Sequence, residues 1–221
     1  MEIIKDGIME AFLWRDACKF YDPAKKVSDE DMKFILEIAR MSPSSFGYEP
    51  WRFLVFQDFT FLNEIKEHTW GLVNSLNGAS HIVIILARKK VDMQAGSAYV
   101  EYIMNECQRL PKEVLERRRL IFNEFLERDM GAITEREVFD WSSKQTYIAL
   151  GNMLTTAALL NIDACPIEGF NYEVLETMLE EKGLIDSHHF GVSVIVSFGY
   201  RSREPDHEKT RQPTKNIVEY I

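Results

Sequence analysis

Apolar positions repeat with a helical period in some stretches of the chain and alternate or run together in others, and the switches between these patterns predict its elements. In residues 28–41, Phe34, Ile35 and Ile38 recur at helical spacing behind a candidate N-cap, Ser28. Residues 81–87 are apolar on both faces, which predicts a buried central strand. The predicted helices are residues 2–13, 28–41, 60–68, two within 93–128 that are broken near Pro111, 134–161 and 171–181; the predicted strands are residues 51–56, 81–87, 161–165 and 191–198.

The longest predicted element is the helix that opens at a capping box, Thr134 with Glu137, and runs to about Asn161. Its second half, residues 147–160, is apolar around nearly its whole circumference. Such a helix is either buried on all sides or packed against a second copy of itself. The tail, residues 201–221, is polar and ends in an apolar group, so we expect it to dock as an arm, with a partner subunit as one candidate surface.

The composition is that of an ordinary folded protein, and it narrows the choice of partners. Of 221 residues, 46% are hydrophobic and 28% are charged, which suffices for a core without disulfides or metal. The net charge of -9 argues against nucleic-acid binding, which needs a positive surface. No apolar run reaches the roughly 18 residues of a membrane span, the N-terminus lacks a signal-peptide pattern, and three widely spaced cysteines suit a reducing compartment. We therefore expect one cytoplasmic domain over residues 1–221, with no membrane partner.

Several common catalytic and binding motifs are absent from the sequence. It has no GxGxxG, GxxxxGK[ST], HExxH, CxxC or GxSxG, and its five histidines do not pair at metal-ligand spacing. We therefore expect no metal site and no nucleophilic triad. The run of three arginines at 117–119 is more typical of a solvated helix face than of an anion site.

Two short segments carry pairs of cations in this acidic chain, Arg15 with Lys19 and Lys209 with Arg211. Arginine grips a phosphate as a planar fork and lysine acts as a point charge, so the two pairs form a phosphate pocket if they meet in space. Taken alone, each pair is typical of solvated surface.

Two proline-containing segments can bring backbone to a ligand. Residues 42–51, SPSSFGYEPW, end the second helix and free serine hydroxyls and backbone amides for a polar ligand, although a plain helix-terminating turn also fits. Residues 166–170, PIEGF, combine a proline that fixes φ with Gly169, which lets the backbone approach something flat or bulky. Between the proline and Gly169 stands Glu168, a lone carboxylate with no histidine nearby in sequence.

Together these segments occur in the order and approximate spacing of the nitroreductase family of FMN enzymes. The order is Arg15 with Lys19, SPSS ahead of EPW, Ala79-Ser80-His81 at the start of the buried strand, PIEGF, and Lys209-x-Arg211, with Trp141, Lys144, Gln145 and Tyr147 on the long helix also similar. Several weak motifs that agree in order are more specific than any of them alone, and the resemblance spans essentially the whole chain.

The resemblance implies an α+β fold of three layers, α/β/α, with a mostly antiparallel central sheet flanked by helices. It implies a homodimer with FMN at the interface, a long buried helix in that interface and a C-terminal arm that extends to the partner subunit. The implied function is that of an FMN-dependent oxidoreductase that uses NADH or NADPH in a ping-pong mechanism to reduce nitroaromatic or related small-molecule acceptors. Reduction of quinones, enones or flavins, dehalogenation, and a non-enzymatic flavin carrier or sensor are alternatives that the sequence leaves open.

Carried over residue by residue, the resemblance assigns each part of the cofactor to a segment. Arg15, Lys209 and Arg211 would hold the phosphate and ribityl end, and Lys19 would approach the N1 and C2 edge of the ring. Pro43, Ser44, Ser45 and Gly47 would reach the flavin from the partner subunit; Pro166 would lie against one ring face; and the backbone around Glu168 and Gly169, with Ile167, would meet N5. Ala17 stands where many relatives carry serine, Asn74 is a candidate for a ring-edge contact, and Phe122 or Phe125 would cover the substrate.

Overall fold

Four strands form one antiparallel sheet in the computed structural model, which describes residues 2–221. The strands are β1 (Trp51–Phe56), β2 (His81–Arg88), β3 (Asp163–Ile167) and β4 (Phe190–Gly199), in the spatial order β1-β2-β4-β3. The helices are α1 (Glu2–Trp14), α2 (Asp29–Arg40), α3 (Thr60–Glu64), α4 (Val73–Leu76), α5 (Ala98–Tyr102), α6 (Lys112–Glu124), α7 (Glu135–Leu159) and α8 (Tyr172–Glu181). Short π-helical turns extend α5 to Cys107 and α6 to Asp129. Among these helices none is both long and apolar enough to cross a membrane.

Helices cover both faces of the sheet because its central strands are apolar on both sides. Ile82, Ile84 and Leu86 of β2 pack with α3, α4 and α8 on one face. Val83 and Ile85 contact the opposite layer, which is built by α2 and α7. The predicted α+β fold, with an antiparallel sheet between helical layers, is confirmed, and so is the prediction that residues 81–87 form a buried central strand.

Helix starts follow the capping chemistry in the sequence. The Ser28 side chain accepts a hydrogen bond from the Asp31 amide at the start of α2. Thr134 and Glu137 form both halves of a capping box at the start of α7. Each N-cap satisfies a backbone donor that the first turn of a helix leaves unpaired. The predicted bounds of these two helices are therefore met to within two residues.

The third strand lies two residues later than the predicted 161–165, at Asp163–Ile167. Asn161 has a left-handed φ of 56° and its amide bonds to the Ala158 carbonyl, so it still closes the end of α7. Extended geometry begins only after this residue. Pro166 consequently sits inside the strand and pairs with Val196 of β4. A proline is tolerated there because β3 lies at the edge of the sheet.

One side of α7 stays exposed in the single chain. Tyr147, Ile148 and Leu159 are 39%, 40% and 48% exposed, whereas Ala149 and Met153 are fully buried. The first of the two options for this helix, burial on all sides within one chain, is therefore wrong. Contact with a second copy stays a prediction, and the exposed stripe is compatible with it.

A buried ion pair joins the start of β3 to the start of the C-terminal arm. Arg201 Nη2 lies 2.7 Å from Asp163 Oδ1, and the two side chains are 11% and 2% exposed. The Arg201 amide also donates to the Asp163 carboxylate at 2.8 Å. On its other side the guanidinium donates to the Trp14 carbonyl at 3.2 Å and lies over the Trp14 ring, 4.4 Å from the centroid. The pair thus fixes β3, the end of α1 and the arm to one another.

Substitution Arg201→Met should destabilise the fold by about 3–5 kcal/mol, because it leaves the Asp163 carboxylate buried without a counter-ion. Arg203→Met is the matched control: Arg203 is 52% exposed and pairs with Asp206 at the surface, so its loss should amount to about 1 kcal/mol or less. Urea denaturation of both variants measures the difference. Equal stabilities would contradict the structural role assigned to the buried pair.

Ser80 and His81 tie the start of β2 to the start of α2. The Val27 amide donates to Ser80 Oγ at 2.8 Å, and the same hydroxyl lies 3.0 Å from His81 Nδ1. The amide end of Gln57 lies 2.7 Å from His81 Nε2. Burial lowers the pKa of His81 below its ordinary value of 6.5, although Asp29 acts in the opposite direction. The neutral imidazole is therefore the form that the folded chain favours.

Acidification should weaken the fold through His81. Because the folded-state pKa is depressed, the unfolded chain binds the proton more readily, so this stabilisation is complete above pH 6.5 and is lost as the pH falls from there through the lower folded-state pKa. Urea denaturation of wild type and His81→Asn between pH 7.5 and about 5 should show a steeper loss in wild type. Parallel curves would mean that His81 does not contribute.

Candidate functional site

The segment after α1 runs beside the start of β3 and brings two predicted site segments together. Ala17 pairs in parallel with Ala164, and the Cys18 amide reaches the Ala164 carbonyl at 3.4 Å. This register places Lys19 next to the residues before Pro166, and its Nζ lies 3.4 Å from Cys165 Sγ. Arg15 and Pro166 therefore lie on two neighbouring segments that are joined by backbone pairing.

Arg15, Lys209 and Arg211 come together at the C-terminal end of α1, whereas Lys19 lies beside Cys165. Lys209 Nζ donates to the Phe12 carbonyl at 2.5 Å and to the Arg15 carbonyl, so it caps the helix end, where a positive charge is favourable. Burial and the nearby charges of Arg15 and Arg211 lower the pKa of Lys209. The Arg15 guanidinium is half-buried and makes no hydrogen bond or ion pair within residues 2–221. The cluster thus holds an unpaired guanidinium beside two further cations.

Gly169 is held against a tryptophan and a second glycine. The Gly71 amide donates to the Gly169 carbonyl at 2.7 Å. A Cβ added at Gly169 would lie 2.8 Å from ring atoms of Trp70, so the flat group that this glycine approaches is the indole. The Gly169 amide and its neighbour at Glu168 donate to no acceptor in the described part of the chain. Two free backbone donors therefore stand at the end of β3.

A groove of about 470 Å³ runs between these donors and the exposed side of α7. The Tyr147 hydroxyl donates to Glu168 Oε1 across one end of it. Burial and this carboxylate raise the pKa of Tyr147 well above its usual range. The side chain of Glu168 is thereby held by α7. The groove is lined by Tyr147, Leu150, Gly151, Leu154, Pro166 and Glu168.

The turn after α2 is strained and lies against the other side of α7. Phe46 and Glu49 have left-handed φ angles of 60° and 47°, as does Gly47 at 65°; for each non-glycine residue this costs on the order of 1–3 kcal/mol. The Ser45 amide donates to Gln145 Oε1 at 2.8 Å, and Ser44 Oγ accepts from the Glu49 amide at 2.9 Å. None of the turn's hydrogen bonds within residues 2–221 reaches the segment from Pro166 to Gly169. Pro43 is exposed at the start of the turn.

Other predicted site residues differ in their accessibility. Phe122 is fully buried between Phe46, Tyr48 and Trp141, so it contacts a substrate only if it leaves the core. Phe125 is partly exposed and is the more accessible of the two candidates. Asn74 is exposed on α4, three residues after the Gly71 contact.

Trp70 is the site residue that the sequence analysis missed. Its side chain is 76% exposed although it packs on Gly169. The available signal was an isolated tryptophan directly before a glycine in a polar stretch. Among the described residues no group of three or more His, Cys, Asp or Glu side chains is placed to hold a metal ion.

A sequence model described as "Nitroreductase family" matches residues 13–200. The chain belongs to the nitroreductase family. A relative from Bacillus subtilis, named "Putative NAD(P)H nitroreductase YfkO", is 45% identical over 222 residues and covers 100% of both chains. The family membership predicted from the ordered motifs is confirmed.

Two solved structures show the same nitroreductase fold. A "putative nitroreductase in complex with FMN" from Exiguobacterium sibiricum superimposes with a TM-score of 0.75 at 20% identity, covering 97% of each chain. CLA-ER, an enone reductase of gut-bacterial fatty acid saturation, superimposes with a TM-score of 0.76 at 19% identity, also covering 97% of each chain. At these identities the comparison establishes the fold.

The two glycines of the site should differ in their tolerance of alanine. A Cβ at Gly71 would lie 3.0 Å from the Gly169 Cα and 2.9 Å from Ile167 Cγ2, and the backbone contact cannot relax easily. Gly71→Ala should therefore destabilise the protein by about 1–3 kcal/mol. Gly169→Ala meets only the exposed ring of Trp70, which can swing away, so its effect should be smaller. Chemical denaturation compares them; a Gly71→Ala protein as stable as Gly169→Ala would contradict this geometry.

Proposed function

We propose that this nitroreductase-family protein is an FMN-dependent oxidoreductase that uses NADH or NADPH in a ping-pong mechanism to reduce nitroaromatic or related small-molecule acceptors. The observation that carries the proposal is that the cluster of Arg15, Lys209 and Arg211 lies next to the groove: the segment that begins at Arg15 pairs with β3, and Pro166 of β3 lines the groove. The FMN-bound structure with the same fold supports the choice of cofactor.

The cationic cluster fits a phosphate. Arg15 offers an unpaired planar guanidinium. Lys209 has three N–H donors; two of them bind backbone carbonyls, and the third is left for a phosphate oxygen. Burial lowers the pKa of Lys209, and repulsion from the neighbouring cations Arg15 and Arg211 lowers it further. A dianionic phosphate would relieve this repulsion, in a chain whose overall charge is -9.

The groove fits the flat ring of the same cofactor. Pro166, Leu150 and Leu154 supply apolar wall. Gly151 opens it further, because a Cβ there would meet no atom within 4 Å. The free amides of Glu168 and Gly169 point to a hydrogen-bond acceptor at the groove's edge.

When bound, FMN supplies the redox chemistry, and the protein need not provide a nucleophile or a dedicated acid. The chain's own residues bind and orient. Lys19 brings a cation beside Cys165 and Pro166, where it can favour negative charge on a bound ring. Tyr147 holds the Glu168 side chain, so Glu168 contributes through its backbone.

The site is completed, in our proposal, by a second copy of the chain. Within the described residues, the strained turn with Pro43, Ser44, Ser45 and Gly47 makes no hydrogen bond to a residue that lines the groove of its own chain, which is expected if the turn serves the partner's groove. Large apolar side chains are exposed on α1, on α7 and at the end of the arm, and a homodimer would cover them. They include Ile4, Met9, Leu13, Ile148, Leu159, Ile217, Val218 and Tyr220.

Proteins with this fold are named for different electron acceptors. CLA-ER, which shares the fold, is named an enone reductase, so enones stand beside nitroarenes, quinones and free flavin as candidates. Steady-state turnover with one member of each class ranks them. A flavin carrier or sensor is the non-enzymatic alternative, and bound flavin that NADH and NADPH fail to reduce would favour it.

Purified protein should be yellow, and NADH or NADPH should bleach its flavin absorption. Arg15→Met should weaken FMN binding about 10- to 100-fold, because charge-assisted hydrogen bonds contribute about 1.5–3 kcal/mol each. Arg40→Met, which removes an exposed arginine paired with Glu37 on α2, is the control and should bind as wild type does. Flavin fluorescence quenching measures both. A colourless protein that FMN fails to reconstitute would refute the proposal.

A further inference from the structure

The left-handed turn at Phe46, Gly47 and Glu49 has a conformation that its own sequence disfavours. Such backbone persists only where surrounding groups impose it, and it concentrates at ligand clamps and active sites. Ser44, Ser45 and Gly47 are residues that our proposed function assigns to the cofactor, and the inference below rests on that proposal. The question is which side chains impose the turn.

Arg118 of α6 and Gln108, which directly follows the π-helical turn after α5, donate hydrogen bonds to the turn. Arg118 Nη2 donates to the Phe46 carbonyl at 3.1 Å, and its guanidinium carbon lies 4.9 Å from the centroid of the Phe46 ring. Gln108 Nε2 donates to the carbonyls of Phe46 and Gly47 at 2.9 and 3.0 Å. Bonds to these two carbonyls restrain the peptide planes on either side of Gly47.

Arg118 is unlike its two neighbours in the run of arginines. Arg117 is exposed, and Arg119 forms a two-pronged ion pair with Glu101 at 2.6 and 2.7 Å. Arg118 makes no ion pair within the described residues, and its Nε is buried without a partner. A guanidinium desolvated in this way is unfavourable for stability alone. The prediction of a solvated face therefore fits Arg117 and is wrong for Arg118.

We infer that Arg118 is a positioning residue: it holds the Phe46 carbonyl and ring so that the turn keeps the left-handed shape in which it meets FMN. Its effect on the cofactor passes through the backbone of Phe46 and Gly47.

The test compares Arg118→Met with Arg117→Met, which removes the same charge from an exposed position on the same helix. Arg118→Met should raise the FMN dissociation constant at least tenfold and shift the visible band of bound FMN, whereas Arg117→Met should stay within twofold of wild type. Quenching of flavin fluorescence and the absorption spectrum measure these effects without turnover. Without FMN, hydrogen exchange should show faster exchange in residues 44–49 of Arg118→Met alone.

Equal affinity and spectrum for the two variants, with unchanged far-UV circular dichroism, would overturn the inference. If Arg118→Met loses helical signal, Arg118→Lys decides: it keeps the charge but loses the planar group that donates and stacks at once. It should bind FMN at least threefold more weakly, and a wild-type dissociation constant would overturn the inference. A wild-type protein that binds no FMN would refute the proposed function and this inference together. The measurement on wild type therefore distinguishes that outcome from a failure of the inference alone.

Discussion

The buried pair of Asp163 and Arg201 is the constraint on which the rest of the site depends. It fixes the first residue of β3 to Arg201, the second residue after β4, and Arg201 extends the connection to Trp14 at the end of α1. The segment 15–19 leaves this junction along β3, and the arm that carries Lys209 and Arg211 leaves it on the other side. Both cationic segments therefore start from one fixed point, which explains how residues nearly two hundred positions apart converge. An ion pair buried to this degree contributes little net stability over an apolar substitute, so its value lies in the geometry that it enforces.

The site combines a prepared binding surface with very little chemistry of its own. The free Arg15 guanidinium, the unpaired amides of Glu168 and Gly169, and the strained turn at Phe46 are each unfavourable in isolation. Each becomes understandable if a ligand supplies the missing partner. Natural sequences tolerate such local conflicts where function requires them and stabilise them through the surrounding fold. Here that stabilisation comes from an apolar sheet covered on both faces by helices.

Local chemistry in the sequence predicted most of the fold, because caps and apolar periodicity act over a few residues. Ser28 and Thr134 marked helix starts, and the run 81–87 marked the central strand. The features that the sequence did not predict depend on contacts with residues far away along the chain. Nothing near Phe46 signals a left-handed backbone, and the side chains that bond to its carbonyl, Arg118 and Gln108, lie more than sixty positions away. Gly169 lies against the ring of Trp70, about a hundred residues earlier, and nothing in the sequence near either residue signals this contact. The meeting of Lys209 with Arg15 was a conditional prediction that only the folded chain resolves.

The position of Trp70 gives the protein a built-in optical probe. Three of its four tryptophans, Trp14, Trp51 and Trp141, are partly or fully buried, whereas Trp70 is largely exposed and rests on Gly169 at the edge of the groove. Its emission should therefore lie to the red of the other three and respond first to whatever enters the groove. Energy transfer from this indole to a yellow chromophore would report occupancy in real time and without a label. Trp70 packs against Gly169. The fluorescence of the same side chain would also show whether the groove is occupied.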